Sequence, residues 1–163
     1  MAKKKQECEH IKIARAIAED CLAVRIRFLG RVVTGLYDRA LQGLDIKTNQ
    51  ATILVFLTLH PGASPAKVGR ALQMEKSTVS RGLERMRKKG WIEIASGATP
   101  GGARGTLAVR VTADGGRLLA SLHREWQKAQ EEAQALLGDE GVRAARRIFD
   151  VLKRRGYAAG SDL

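Results

Sequence analysis

The sequence predicts a mainly α fold with one small β-ribbon. Two short helices and a tight turn precede the ribbon, and long helices flank the whole. Three observations carry this prediction. Apolar residues recur at three- and four-residue steps through most of the chain. The period switches to two only in residues 91–95 and 106–111, around the Gly/Pro-rich turn SGATPGGARG. Charge concentrates between the long segments. Residues 64–111 hold ten Lys/Arg against three Asp/Glu, whereas residues 112–163 hold nine against eight.

Taken in order, residues 1–7 read as a frayed basic tail. From about Glu9 to about Leu41 one helix is expected, with Ile11, Ala14, Ala18, Cys21, Leu22, Phe28, Leu29, Val32, Val33, Leu36 and Tyr37 in its apolar pattern. Gly30 and Gly35 weaken it, each costing about 1 kcal/mol relative to Ala, and leave room for a bend. Gly43 and Asp45 mark the exit. Thr48 or Asn49 can cap the next helix, about Gln50–His60. Its ILVFLTL run is apolar almost all round, as in a buried core helix, and Pro61-Gly62 ends it.

Ser64 suits an N-cap and Pro65 the first helical position, opening a helix over Pro65–Leu72 with Val68, Ala71 and Leu72 as its stripe. Gln73, Met74 and Glu75 leave room only for a tight turn. The stretch from Met74 to Gly90, MEKSTVSRGLERMRKKG, is the one around which the rest is organised. Val79, Leu83 and Met86 share one helical face, and Ser77, Arg81, Glu84 and Lys88 the opposite one, with Arg85 beside them. Gly90 follows Arg87, Lys88 and Lys89 where a C-cap glycine belongs. Two short helices with a tight turn, the second basic and hydroxyl-rich at its start, make a helix-turn-helix. Ser77, Thr78 and Ser80 can donate to phosphates or base edges, and Arg81 can bond guanine in bidentate fashion. Alone, the same helix could be a solvated basic surface.

Residues 91–95 and 106–111 read as strands, either a β-wing or a plain flexible hairpin. Thr112 caps a long helix, about Ala113–Leu137, that Gly138 stops. Asp139 can cap a last one, about Glu140–Arg155, with Val142, Ala145, Ile148, Phe149 and Leu152 on one face. The expected fold is a winged helix-turn-helix flanked by long N- and C-terminal dimerisation helices. Residues 1–47 form an N-terminal helical dimerisation segment, 48–111 the DNA-binding domain, and 112–163 a C-terminal helical dimerisation segment. The end segments carry apolar stripes without a nearby partner, so a homodimer is expected. Its two recognition helices would lie about one DNA turn apart, roughly 34–36 Å.

The net charge of +12 points to a polyanionic partner. The longest apolar run, Ala51–Leu59, is too short to span a bilayer, and no apolar segment follows Met1–Lys5, so a cytoplasmic protein with no membrane partner is expected. His10, His60 and His123 lie apart, with no nucleophile or carboxylate at motif spacing, and no Cys/His cluster has zinc spacing. Catalysis, a cofactor and a metal are therefore not expected. Trp91 is either a residue packed under the recognition helix or the lining of a ligand pocket. Trp126 is either a dimer-core aromatic or a pocket residue.

Leu44 to Leu119 resembles the MarR family of winged helix-turn-helix regulators. The resemblance lies in LDIKTNQATIL, in MEKSTVSRGLERMRKKGWIE and in VRVTADGGRLL. It implies a homodimer on a pseudo-palindromic double-stranded DNA operator, usually a repressor. It places Ser77, Thr78, Ser80 and Arg81 in the major groove and Arg104 at the wing position that enters the minor groove; Lys76 and Arg85 on the same helix are expected at DNA as well. The family's usual Asp two residues before that arginine is replaced by Gly102. The function expected is sequence-specific transcriptional regulation, with release by a small-molecule effector or an oxidant. The alternative is a sequence-independent architectural protein, which the charge fits equally well and a specificity ratio would separate.

Cys21 is either a small buried hydrophobe or a thiol sensor, as a first-helix cysteine is in some MarR-like regulators. A sensor reacts as the thiolate, which a nearby cation favours, and Arg25 is one turn on. Cys8 lies thirteen residues away, nearly 20 Å along a continuous helix at about 1.5 Å per residue, so no bridge within that helix is expected.

Overall fold

The computed structural model describes residues 2–96 and 107–157, with side chains over 9–95 and 107–157. The chain divides into two compact units, Met1–Gly35 and Leu36–Leu163.

The first unit contains α1 (Ala2–Asp20) and most of α2 (Leu22–Ala40). The helix begins at Ala2, where a frayed tail was expected; Ala, Lys, Gln and Glu at residues 2–7 all have high helix propensity. Helix α2 runs without interruption through Gly30 and Gly35, and the break in the helical pattern falls at Cys21. It is one residue wide. Cys21 still donates to the Ile17 carbonyl at 3.0 Å and accepts from the Arg25 amide at 3.2 Å. A mid-helix glycine lowers propensity without imposing a bend. Ile11, Ile17, Leu22, Ile26 and Phe28 are exposed.

The second unit begins with the last turn of α2 and a short 3-10 turn at Gln42–Leu44. It continues through α3 (Thr48–Leu59), α4 (Pro65–Leu72), α5 (Lys76–Lys88), β1 (Ile92–Ser96), β2 (Leu107–Val111) and α6 (Ala113–Arg154). Its core takes Ile53, Leu54, Phe56 and Leu57 from α3, with Val68 from α4. Val79, Leu83 and Met86 from α5, Val109 from β2 and Leu122 from α6 complete it. Helix α3 is buried on nearly all sides, as its apolar run predicts.

The start of α3 differs from the expected Thr48 or Asn49 cap. Lys47 holds the N-cap position. Its amide donates to the Gln50 side chain at 3.1 Å. The Asp38 carboxylate accepts from both the amide (2.8 Å) and the hydroxyl (2.7 Å) of Thr48. An anion from α2 thus does the work expected of a cap local in sequence.

Helix α4 starts as its sequence predicts, with the Ser64 hydroxyl accepting from the Lys67 amide at 3.2 Å. Gln73 then turns the chain in the left-handed region at φ 51°. Strands β1 and β2 pair antiparallel from Ile92↔Val111 to Ser96↔Leu107, and Ala63 adds one bridge to Val109. Thr112 caps α6 through the Gly115 amide at 3.1 Å and donates to the Gly90 carbonyl at 2.6 Å. Gly138, with φ 64° and ψ 170°, kinks α6 where the sequence places a boundary. Near the exit of α2, Tyr37 donates to Gln130 of α6, and burial raises the pKa of its phenol.

Candidate nucleic-acid interface

Helix α5 sits on the domain as its amphipathic pattern dictates. Val79 and Leu83 are 2 % exposed and Met86 is fully buried. With that face fixed in the core, Lys76, Ser77, Ser80, Arg81 and Arg85 are exposed and Thr78 is half-buried. Six of the seven residues singled out for DNA are thereby brought onto one helix. Arg104, the seventh, lies with Gly102 outside the described residues. Gly90 takes φ +73°, a conformation that side-chain-bearing residues rarely adopt, and ends α5 as a glycine C-cap should.

The charges on α5 are not equivalent. The Arg87 guanidinium grips the Glu84 carboxylate at 3.0 and 2.9 Å. That hydrogen bond holds the Glu84 carboxyl below the usual carboxylate range and pushes Arg87 above its ordinary value. Lys88 stands 3.9 Å from the same carboxylate. Arg81 and Arg85 make no hydrogen bond or ion pair among the described residues. The one acid of α5 is therefore held by Arg87, and the two arginines nearest the hydroxyl-rich start remain available to an anion.

At the far end of α5, the Lys89 ammonium bonds the Asp45 carboxylate at 2.5 Å and also the Asp45 carbonyl. The same ammonium lies 4.6 Å from the centroid of the Trp91 ring. These contacts tie the end of α5 to the 3-10 turn before α3. No periodicity joins residues 44 positions apart, so the contact between Lys89 and Asp45 was not foreseen from the sequence. Lys47, which the sequence also did not single out, lines the same cleft as Asp45 and Lys89.

Between α4, α5 and the ribbon lies an open cleft of about 780 Å³, lined largely by Pro65, Met74, Val79, Leu83, Ile94 and Leu107. Neither Trp91 nor Trp126 lines it. Trp91 packs against the core, whereas Trp126 is 41 % exposed and stacks on His123 at 5.9 Å between centroids. His60 packs on Phe56 at 4.5 Å, apart from His123. Among the described residues, no group of three or more His, Cys, Asp or Glu could hold a metal ion, and no helix is long and apolar enough to cross a membrane.

Residues 44–105 match a family model described as MarR family. Among curated proteins, none matches the chain. A mutant of MarR from E. coli, crystallised with operator DNA, superimposes with a TM-score of 0.72 at 20% identity, covering 83% of this chain and 96% of that one. The transcriptional regulator MosR of M. tuberculosis gives 0.71 at 24% identity, over 85% of this chain and 97% of that one. A probable transcriptional regulator from Pseudomonas aeruginosa gives 0.70 at 21% identity, over 82% and 98%. At these identities the likeness is one of fold. It spans nearly the whole of each of those chains, including the long helices outside residues 44–105.

Proposed function

We propose that the chain is a MarR-family regulator, a homodimeric, sequence-specific transcriptional repressor of the cytoplasm, in line with the family match over residues 44–105 and the shared fold. One observation carries the reading. Helix α5 buries Val79, Leu83 and Met86 and presents Ser77, Ser80, Arg81 and Arg85 outward, with both arginines unpaired among the described residues. Hydroxyls and a free guanidinium at the start of a helix suit base edges in a major groove. Arg104 serves as a minor-groove contact by the resemblance alone. Each unit leaves apolar side chains exposed that a second copy could cover, those of α1 and α2 in the first and Leu136, Ile148, Phe149 and Leu152 of α6 in the second. The apolar cleft beside α5 supports release by a small apolar effector.

Selection from random duplexes tests the reading. The recovered sites should hold two half-sites about one helical turn apart, and the complex should contain two chains. Equal affinity for selected and random duplexes would sink the regulator and leave a sequence-independent architectural protein.

Release by an oxidant is the second part of the proposal, and it centres on Cys21. That residue is partly exposed and sits at the single-residue interruption between α1 and α2, where a change in the side chain can move one helix against the other. The Arg25 guanidinium contacts the Glu19 carbonyl and stands 3.9 Å from Asp20. Peroxide should weaken operator binding by the wild type and by Cys8→Ser, reversibly with thiol, and should leave Cys21→Ser unaffected. The measurement is an operator shift with and without oxidant. An identical response in Cys21→Ser would make Cys21 a packing residue only.

A further inference from the structure

We propose that the cleft of about 450 Å³ between the start of α3 and the end of α5 clamps the sugar–phosphate backbone of duplex DNA, with Lys47, Arg85 and Lys88 facing the phosphates. The clamp rests on the reading of α5 as the helix that enters the groove. It adds a contact made partly by α3, outside the helix-turn-helix.

The balance of charge in the cleft comes first. Its walls include four cations, Lys47, Arg85, Lys88 and Lys89, and one acid, Asp45. Asp45 is already bound to Lys89 at 2.5 Å. Arg85 has no partner among the described residues, and Lys88 is only 3.9 Å from a Glu84 oxygen that Arg87 holds at 2.9 Å. Lys47, Arg85 and Lys88 are all exposed. Three cations with little or no local compensation thus converge from two helices.

Helix length supplies the second argument. Helix α5 has 13 residues, so it is roughly 20 Å long at about 1.5 Å per residue. The major groove is roughly 12 Å wide. When the first turns of α5 meet base edges, its last turns have left the groove floor and stand at the flanking strand. Arg85 and Lys88 continue the exposed line of Ser77 and Arg81 along the helix. The polyanion that follows this line past the end of α5 arrives at Lys47. A row of phosphates is an anion that three cations on two elements lining one cleft can bind together. Phosphate contacts of this kind fix register and carry no sequence information.

The test compares wild type, Lys47→Gln, Lys88→Gln and their double variant on a selected duplex and a scrambled one, across a range of salt. Each lost contact should make the slope of log affinity against log salt shallower by about 0.9. Affinity for both duplexes should fall by the same factor, and the ratio between them should stay at the wild-type value. A double variant with the wild-type slope, or a loss confined to the selected duplex, overturns the clamp. Inorganic phosphate at constant ionic strength is the second probe. Displacement of wild-type protein, but not the double variant, from DNA by millimolar phosphate assigns the cleft to a small anion and also overturns the clamp. If the wild type binds both duplexes equally while the slope still falls in the variants, the clamp stands and the regulator reading fails. If the wild type binds neither duplex, both fail together.

Discussion

Gly115→Ala should destabilise the second unit by about 3 kcal/mol, at the upper end of what overpacking costs. An added Cβ would lie 2.2 Å from the Trp91 carbonyl oxygen and 2.7 Å from a Val111 methyl. A backbone carbonyl cannot swing away as a flexible side chain can, and this one is already engaged. It accepts from the Thr112 amide at 3.0 Å, while the Trp91 amide donates to the Met86 carbonyl at 3.0 Å. Ile92 pairs with Val111 directly alongside. The start of α6, the base of the ribbon and the end of α5 therefore meet at one point where only hydrogen fits. Thermal unfolding should show a drop in Tm of roughly 6–12 °C for a chain of this size. Operator affinity should fall as well, because the strain reaches α5 through Met86 and Trp91. Gly116→Ala is the control. Nothing lies within 4 Å of its added Cβ, so it should gain up to about 1 kcal/mol of helix stability. Equal Tm values for the two variants would mean that the close approach at Gly115 relaxes without cost.

What was legible in the sequence was what is local in it. Ser64-Pro65 fixes the start of α4 because cap and helix are adjacent. The stripe of Val79, Leu83 and Met86 fixes which face of α5 is buried, and hence which face is offered to a partner. The antiparallel ribbon followed from the change of period on either side of a glycine-rich turn. Contacts between elements were not legible. The anion at the start of α3 is Asp38, ten residues back and on another helix. Glu84 has cations at Arg81, Arg87 and Lys88, all three or four residues away, and spacing alone does not choose among them. In the structure Arg87 takes the carboxylate, which leaves Arg81 unpaired among the described residues. The interruption at Cys21 carries no glycine or proline signal. The two glycines that weaken the pattern lie inside α2, which continues through both.

Arg81→Ala should weaken binding to the selected operator by about 1–3 kcal/mol, roughly 5- to 150-fold, and relax base preference at one position in each half-site. Arg81 is exposed and unpaired among the described residues, so its truncation removes no contact that holds the fold. Thermal stability should accordingly stay within about 0.5 kcal/mol of wild type, as for surface positions in general. Loss of binding without loss of stability separates this variant from Gly115→Ala, in which both fall. Loss of preference separates it from Lys47→Gln and Lys88→Gln, in which affinity falls evenly across sequences. The guanidinium fork is what reads a guanine edge, so Arg81→Lys should keep most of the salt dependence and lose most of the preference. The measurement is repeat selection from random duplexes with each variant, beside affinities for the wild-type site and for sites altered one base pair at a time. If Arg81→Ala lowers affinity for every site by the same factor, Arg81 is a phosphate contact, and the reading of base sequence must lie with Ser77, Thr78 and Ser80.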